Sequence, residues 1–171
     1  MTTANTVEYL KKASLLLATA ESCTAGRMVA LLAEVPGSGS FIECGYVVYS
    51  PSAKQRLLGV NPETIDRFNL TSVEVASEMA IGALKDSPAN AAIATTGLCG
   101  GEDVDGIPAG TVCFAWAFLT EAEIVVFTLQ HRFFGDRVSM QQAAAVHALT
   151  LLPDFHQRLL DGERPGTTVD Q

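Results

Sequence analysis

Ser22, Lys54 and Tyr49 are the side chains through which this sequence could carry out a reaction. A serine hydroxyl attacks an amide carbon only when another group takes its proton. Lys54 could do so if burial lowered its pKa and left the amine neutral. Tyr49, five positions earlier, could relay the proton or orient that amine. His131, His147 and His156 lie in late segments, none at a strand end, and His147 sits in an Ala/Leu-rich helical stretch that suits a structural histidine. Spacing alone favours a blander arrangement, with a solvated helix lysine and a core tyrosine.

The elements that must position these groups can be read from the pattern. Leu15–Ala20 is an apolar run that ends on Glu21, Ser22, Cys23 and Thr24, and helical spacing of Met28, Leu31 and Leu32 follows Gly26. This predicts a buried strand, a tight turn and a helix ending near Glu34. Ser22 and Thr24 then stand beside backbone N–H groups without a helical partner, a place suited to an oxyanion or to a plain helix cap. Cys44–Ser50 reads as a second strand, and Pro51 opens a short helix carrying Lys54. Asn61–Pro62–Glu63 starts another helix, and Thr71–Glu74 forms a capping box for one running to about Lys85. Ala91–Thr95 is a short buried strand, followed by a Gly-rich loop from Gly97 to Gly110. Thr111–Leu119 and Ile124–Leu129 predict an antiparallel hairpin. A last long helix runs from about Asp136 to Leu152, with Val138, Gln142, Ala145, Leu149 and Leu152 inward, and Pro153 separates it from a terminal helix. The order predicts an α/β fold, a three-layer α/β/α domain on a mixed, mostly parallel sheet. It would span residues 1–163, with a loose tail over 164–171. Ser22, Ser50 and Thr96 would gather beyond the strand C-termini.

Composition narrows the function. With 171 residues the chain suffices for one core, and 48 % hydrophobic against 18 % charged residues excludes bulk disorder. A formal charge of −8 without a Lys/Arg cluster argues against nucleic acid and anionic membranes as partners. Cys23, Cys44, Cys99 and Cys113 include no C-x-x-C pair, and their spacing with the histidines matches no zinc pattern. The expectation is no metal, no cofactor, reduced thiols and a cytoplasmic location.

Several blocks together resemble the CinA C-terminal family. They are Ala20–Gly26, Val35–Ser38, Tyr49–Ser50, Ala53–Lys54, Leu58–Val60, Ser72–Ala76, Thr96–Gly97, Gly110–Val112 and Phe134–Arg137, in family order across Leu15–Leu152. The family includes stand-alone nicotinamide-nucleotide amidases and the same domain fused within competence/damage-inducible proteins. The resemblance implies Ser22 as nucleophile, Tyr49 and Lys54 as its helpers, and no metal. For binding of a nucleotide substrate it implies Glu21, Thr24, Ala25, Gly26, Ser50, Thr96, Gly97, Gly100 and Arg137. It also suggests a homodimer or higher homo-oligomer.

The departures from the family pattern bear on the substrate. Ala25 stands where the family has glycine, Ile107 where it usually has lysine, and Gln141 at a commonly basic position, while Glu102, Asp103 and Asp105 add acids to the loop. Three readings compete: a serine amidase converting nicotinamide mononucleotide to nicotinate mononucleotide and ammonia, a weak or inactive paralogue that binds a nucleotide or protein partner, and a thiol-dependent enzyme through Cys23. The helix start would lower the Cys23 pKa.

Overall fold

The computed structural model of the chain describes residues 2–165. Helix α1 (Thr3–Ala13) leads into β1 (Leu17–Glu21), α2 (Arg27–Ala33) and β2 (Ile42–Val47). Helices α3 (Pro51–Leu58), α4 (Pro62–Phe68) and α5 (Val73–Asp86) follow before β3 (Ala91–Gly97). Then come β4 (Thr111–Leu119), β5 (Ile124–Arg132), α6 (Arg137–Thr150) and α7 (Leu152–Leu160). Arg164 turns back to donate to the Glu163 carbonyl at 2.9 Å, and the rest of the expected tail, residues 166–171, lies outside the described residues.

The sheet runs β2-β1-β3-β4-β5. β1 pairs parallel with β2 and with β3, whereas β3–β4 and β4–β5 are antiparallel. The sheet is mixed as expected, but evenly divided rather than mostly parallel. The reason is the short β4–β5 connection and the return of the chain from β3 to β4 without an intervening helix, which force antiparallel pairing.

Period-two alternation assigns the two faces. Phe114, Trp116 and Phe118 of β4 join Leu17, Ile93 and Phe127 in the core under α1, α2, α6 and α7. Cys113, Ala115 and Ala117 point the other way, with Ala18, Ala20, Ala92 and Ala94, toward α5. Small residues on this face let α5 lie close to the sheet, through its own Ala76, Met79, Ala80 and Ala83. These two cores make the three layers.

Two helical details differ from the sequence reading. The α5 cap is Ser72, whose hydroxyl accepts from the Val75 N–H at 3.2 Å, one residue later than the predicted box starting at Thr71. In α6 the buried stripe is Met140, Gln141, Ala144, Ala145, Ala148 and Leu149, and Val138 is exposed. The helix is rotated so that Ala144, Ala145 and Ala148 pack on the aromatic side of β4 with Met140 and Leu149 beside them.

Candidate active site

Ser22 follows β1 directly, and its N–H donates to the Thr95 carbonyl at 3.0 Å, extending the parallel ladder by one residue. The chain leaves β1 toward β2 over one face through α2 and returns to β3 over the other through α3–α5. The C-terminal end of β1 is thus the switch point of the sheet, where such folds open a crevice. Ser22 sits in it with 8 % of its surface exposed.

Lys54 reaches this point from the first turn of α3. Its Nζ lies 2.9 Å from Ser22 Oγ, 2.9 Å from the Val48 carbonyl and 3.1 Å from the Tyr49 carbonyl. Ser50 caps α3, its hydroxyl accepting from the Ala53 N–H at 3.0 Å, and Pro51 fixes the first turn. Together they set the direction in which the lysine stem leaves the helix. At 1 % exposure the amine is cut off from water, and that burial lowers its pKa to about 8, against a small opposing pull from Cys23. A neutral amine has two N–H donors and one lone pair. With both carbonyls taking the N–H groups, the lone pair is left for the Ser22 hydroxyl. Among the described residues no carboxylate is paired with Lys54 to hold the proton on it.

Tyr49 enters the site through its backbone. Its ring is 60 % exposed, and it is the Tyr49 carbonyl that contacts the amine. Ser50, expected to meet a ligand, is engaged as the α3 cap.

Glu21 and Thr24 form the underside of the turn. Glu21 Oε1 accepts from Thr24 Oγ1 at 2.7 Å and from the Met28 N–H at 2.9 Å. Its Oε2 accepts from Thr19 Oγ1 at 3.2 Å and from the Val29 N–H at 3.1 Å. The carboxylate caps α2 from the preceding strand, because Gly26 at the cap position has no side chain to do so. Thr24 Oγ1 and Thr95 Oγ1 are 2.8 Å apart and fully buried. Glu21 and Thr24 therefore hold the turn rather than face a ligand. The turn passes through Ala25 at φ 51° and Gly26 at φ 89°, both left-handed.

The remaining expected residues separate. Thr96 Oγ1 donates to the Leu70 carbonyl at 2.8 Å, tying β3 to the segment before α5. A Cβ on Gly97 would lie 2.4 Å from the Thr111 carbonyl oxygen, so this glycine serves the close β3–β4 approach. Gly100, at φ 98°, packs on Arg137, where an added Cβ would come within 3.0 Å of the arginine Cβ.

Sequence reasoning read Gln141 only as a lost charge and missed its structural role. Its Nε2 donates to the Cys23 carbonyl at 3.0 Å, inside the protein, and so anchors the turn that carries Ser22. The position is a structural tie, and its lack of charge removes no surface cation. Cys23 is buried, and its thiol is raised well above its usual range, first by a hydrogen bond with Cys99 and then by burial. That reverses the lowering expected from the helix start and leaves no thiolate for catalysis.

Three cavities, of about 500, 400 and 590 Å³, lie around α3, α4 and α5 and include neither Ser22 nor Lys54 in their walls. The buried amine on a hydroxyl is what marks this site. No group of His, Cys, Asp and Glu among the described residues could hold a metal ion. Among them, too, no helix is long and apolar enough to cross a membrane.

The sequence profile of the CinA C-terminal domain matches residues 1–156. The chain belongs to that family. The nicotinamide-nucleotide amidohydrolase PncC of Escherichia coli K12 is 37 % identical over 152 residues, which are 88 % of this chain and 90 % of that protein. A CinA-like protein of Mycolicibacterium vanbaalenii is 41 % identical over 137 residues, 80 % of this chain but 32 % of that protein. This CinA family chain thus spans about a third of the length of its CinA-like relatives. In three dimensions it is similar to the competence/damage inducible protein CihA of Agrobacterium tumefaciens, with TM-score 0.84 and 32 % identity over 91 % of this chain and 93 % of that one.

Proposed function

We propose that this chain is a serine amidohydrolase that converts nicotinamide mononucleotide to nicotinate mononucleotide and ammonia. The observation that carries the reading is the 2.9 Å contact from Lys54 Nζ to Ser22 Oγ, with the amine held by two carbonyls in a buried place. The 37 % identity to PncC over 90 % of that protein supplies the substrate class.

In the first step the Ser22 hydroxyl gives its proton to Lys54 Nζ as Oγ bonds to the carboxamide carbon. The oxyanion forms beside the turn, where the Thr24 N–H has no acceptor among the described residues. Collapse of the intermediate breaks the C–N bond, and the Lys54 ammonium returns a proton to the leaving nitrogen, giving ammonia and an ester on Ser22. Water then attacks the ester, losing a proton to Lys54; as the acyl C–O bond breaks, the Lys54 ammonium returns that proton to Ser22 Oγ, and the freed acid gives its own proton to the released ammonia to leave as nicotinate. Tyr49 contributes by its carbonyl, which keeps the amine aimed at Oγ throughout.

A non-catalytic nucleotide binder is the second reading, favoured by Ile107 and by the acid-bearing turn closed by the Val104–Ile107 bridge. Ammonia release separates the two. Purified protein given nicotinamide mononucleotide should yield equimolar ammonia and nicotinate mononucleotide, and Ser22→Ala should abolish both. No product from the wild-type protein would leave the binder reading in place.

A further inference from the structure

On the face of the sheet that carries α5, away from Ser22, α4, α5 and β5 wall a cavity of about 400 Å³. That volume is ordinary for a small-molecule site. β5 is the last strand of the sheet, and its Val126 and Thr128, two residues apart, present one face to the cavity. Phe68 of α4 and Val73 and Ile81 of α5 complete an apolar wall. Phe68, Val73, Ile81 and Val126 are each half-buried, so the wall is partly sheltered from water and still open to a ligand.

Three carboxylates are set into that wall. Glu74 and Glu78 stand one helical turn apart on α5, and Glu63 comes from the first turn of α4. Glu78 is fixed in place, because its Oε2 accepts from the Asn61 N–H at 2.8 Å and its Oε1 from Thr64 Oγ1 at 2.6 Å. Each of those oxygens keeps a lone pair for a further donor. Arg67, the basic group in the wall, does not neutralise the acids: its guanidinium lies over the Phe68 ring, 4.9 Å from the centroid. The ion pairs among the described residues are Arg158–Glu163 and Arg164–Glu123, and neither involves the cavity acids. Three carboxylates against one guanidinium leave a formal excess of two negative charges.

This combination selects its occupant. An anion is repelled by the wall. A neutral apolar molecule strips water from the carboxylates and gives them no donor in return. A cation with an apolar body meets both needs: the body covers Phe68, Ile81 and Val126, and an ammonium head donates to Glu74 and Glu78.

We propose that this cavity is a binding site for a small organic amine with an apolar body, separate from the catalytic centre. The site stands whether or not the chain is an amidase.

The test titrates phenethylamine into the full chain, followed by calorimetry and by amide NMR. The amine should shift the amides of Ser77, Val126 and Thr128 and leave those around Ser22 in place. 2-Phenylethanol has the ring without the charge, and ethylamine has the charge without the ring. Each should bind about 10-fold more weakly than phenethylamine, or weaker still. Glu74→Gln should lower phenethylamine affinity about 10-fold and leave 2-phenylethanol unaffected. Glu43→Gln, the same change of charge on β2, should alter neither. Ser77→Leu fills the cavity and should abolish binding of both aromatic probes. Thermal melts show whether each variant folds, with Ser77→Met in reserve if the leucine variant does not. No binding at millimolar phenethylamine, equal affinity for the amine and the alcohol, or an equal effect of Glu43→Gln would overturn the proposal. So would amide shifts centred on Ser22, or binding that survives a folded, cavity-filled variant.

Discussion

At the scale of the residue, Lys54 concentrates the energetics of the site. Its amine titrates near 8 because burial disfavours the charged form. The proposed reaction should therefore speed up with pH and level off above about 8, as the fraction of neutral amine saturates; a kcat/KM profile that falls over that range would contradict it. Lys54→Arg should be as inactive as Lys54→Ala, since a guanidinium keeps its proton. The same lowering sets a stability signature. The folded state binds this proton more weakly than the unfolded chain, so the lysine costs stability below pH 8, and the cost fades as pH rises toward the unfolded value of 10.5. The full cost is about 3 kcal/mol. Lys54→Met removes it but strands the Val48 and Tyr49 carbonyls, each worth about 1–3 kcal/mol if buried without a partner. The pH dependence is the clean observable: wild type should gain on Lys54→Met by about 3 kcal/mol between pH 8 and 10.5 in parallel denaturant titrations. A constant difference would mean that Lys54 is not desolvated. Ala25 offers a second check, because its φ of 51° strains an L-residue. Ala25→Gly should stabilise the fold by about 0.5–1 kcal/mol, the relief of strain exceeding the extra chain entropy. A loss of stability in thermal melts would argue against the left-handed turn.

At the scale of the element, helices place the chemistry and a strand end presents it. α3 is short, yet its Ser50 cap and Pro51 start fix where Lys54 emerges. Its other end is held by close packing: a Cβ on Gly82 in α5 would fall 2.0 Å from the Leu58 carbonyl oxygen. Gly→Ala at an open helix site stabilises by about 1 kcal/mol. Here Gly82→Ala should instead destabilise by about 1–3 kcal/mol and push α3, and Lys54 with it, away from the sheet. The enzyme assay should then lose rate while Ser22 and Lys54 are both still present. A stabilised, fully active variant would refute the close α3–α5 contact. α6 acts on the site from the opposite face through Gln141, which grips the Cys23 carbonyl.

At the scale of the whole molecule, the exposed apolar surface has a pattern. Phe134 is 76 % and Val138 63 % exposed at the start of α6, and Val47 and Tyr49 are exposed around the end of β2. We propose that these surfaces are covered in a homo-oligomer, most simply a dimer. Light scattering at micromolar concentration should give at least twice the monomer mass, and a monomer would overturn this. The sequence by itself determined the elements and the chemistry they could carry. Alternation in Cys113–Phe118 and the apolar run into Glu21–Ser22 are local patterns, because burial on one face imposes period two on a strand and about 3.6 on a helix. Asn61–Pro62, Pro51 and Asp136 announce their helix starts because caps and first-turn prolines act within three residues. The family blocks pointed to Ser22 and Lys54 in the same way. Tertiary structure alone decided which roles those residues could fill. Glu21 looked like a ligand contact until four donors, two of them helix N–H groups, closed around it. Gln141 looked like a missing charge and is a strut to a residue 118 positions away. The buried face of α6 was set by its packing on the β4 aromatics, where the Trp116 indole N–H donates to the Ala148 carbonyl. Such outcomes depend on which groups are desolvated together and which hydrogen bonds remain to be satisfied, and chain folding brings those groups together from distant positions whose pairing no local pattern encodes.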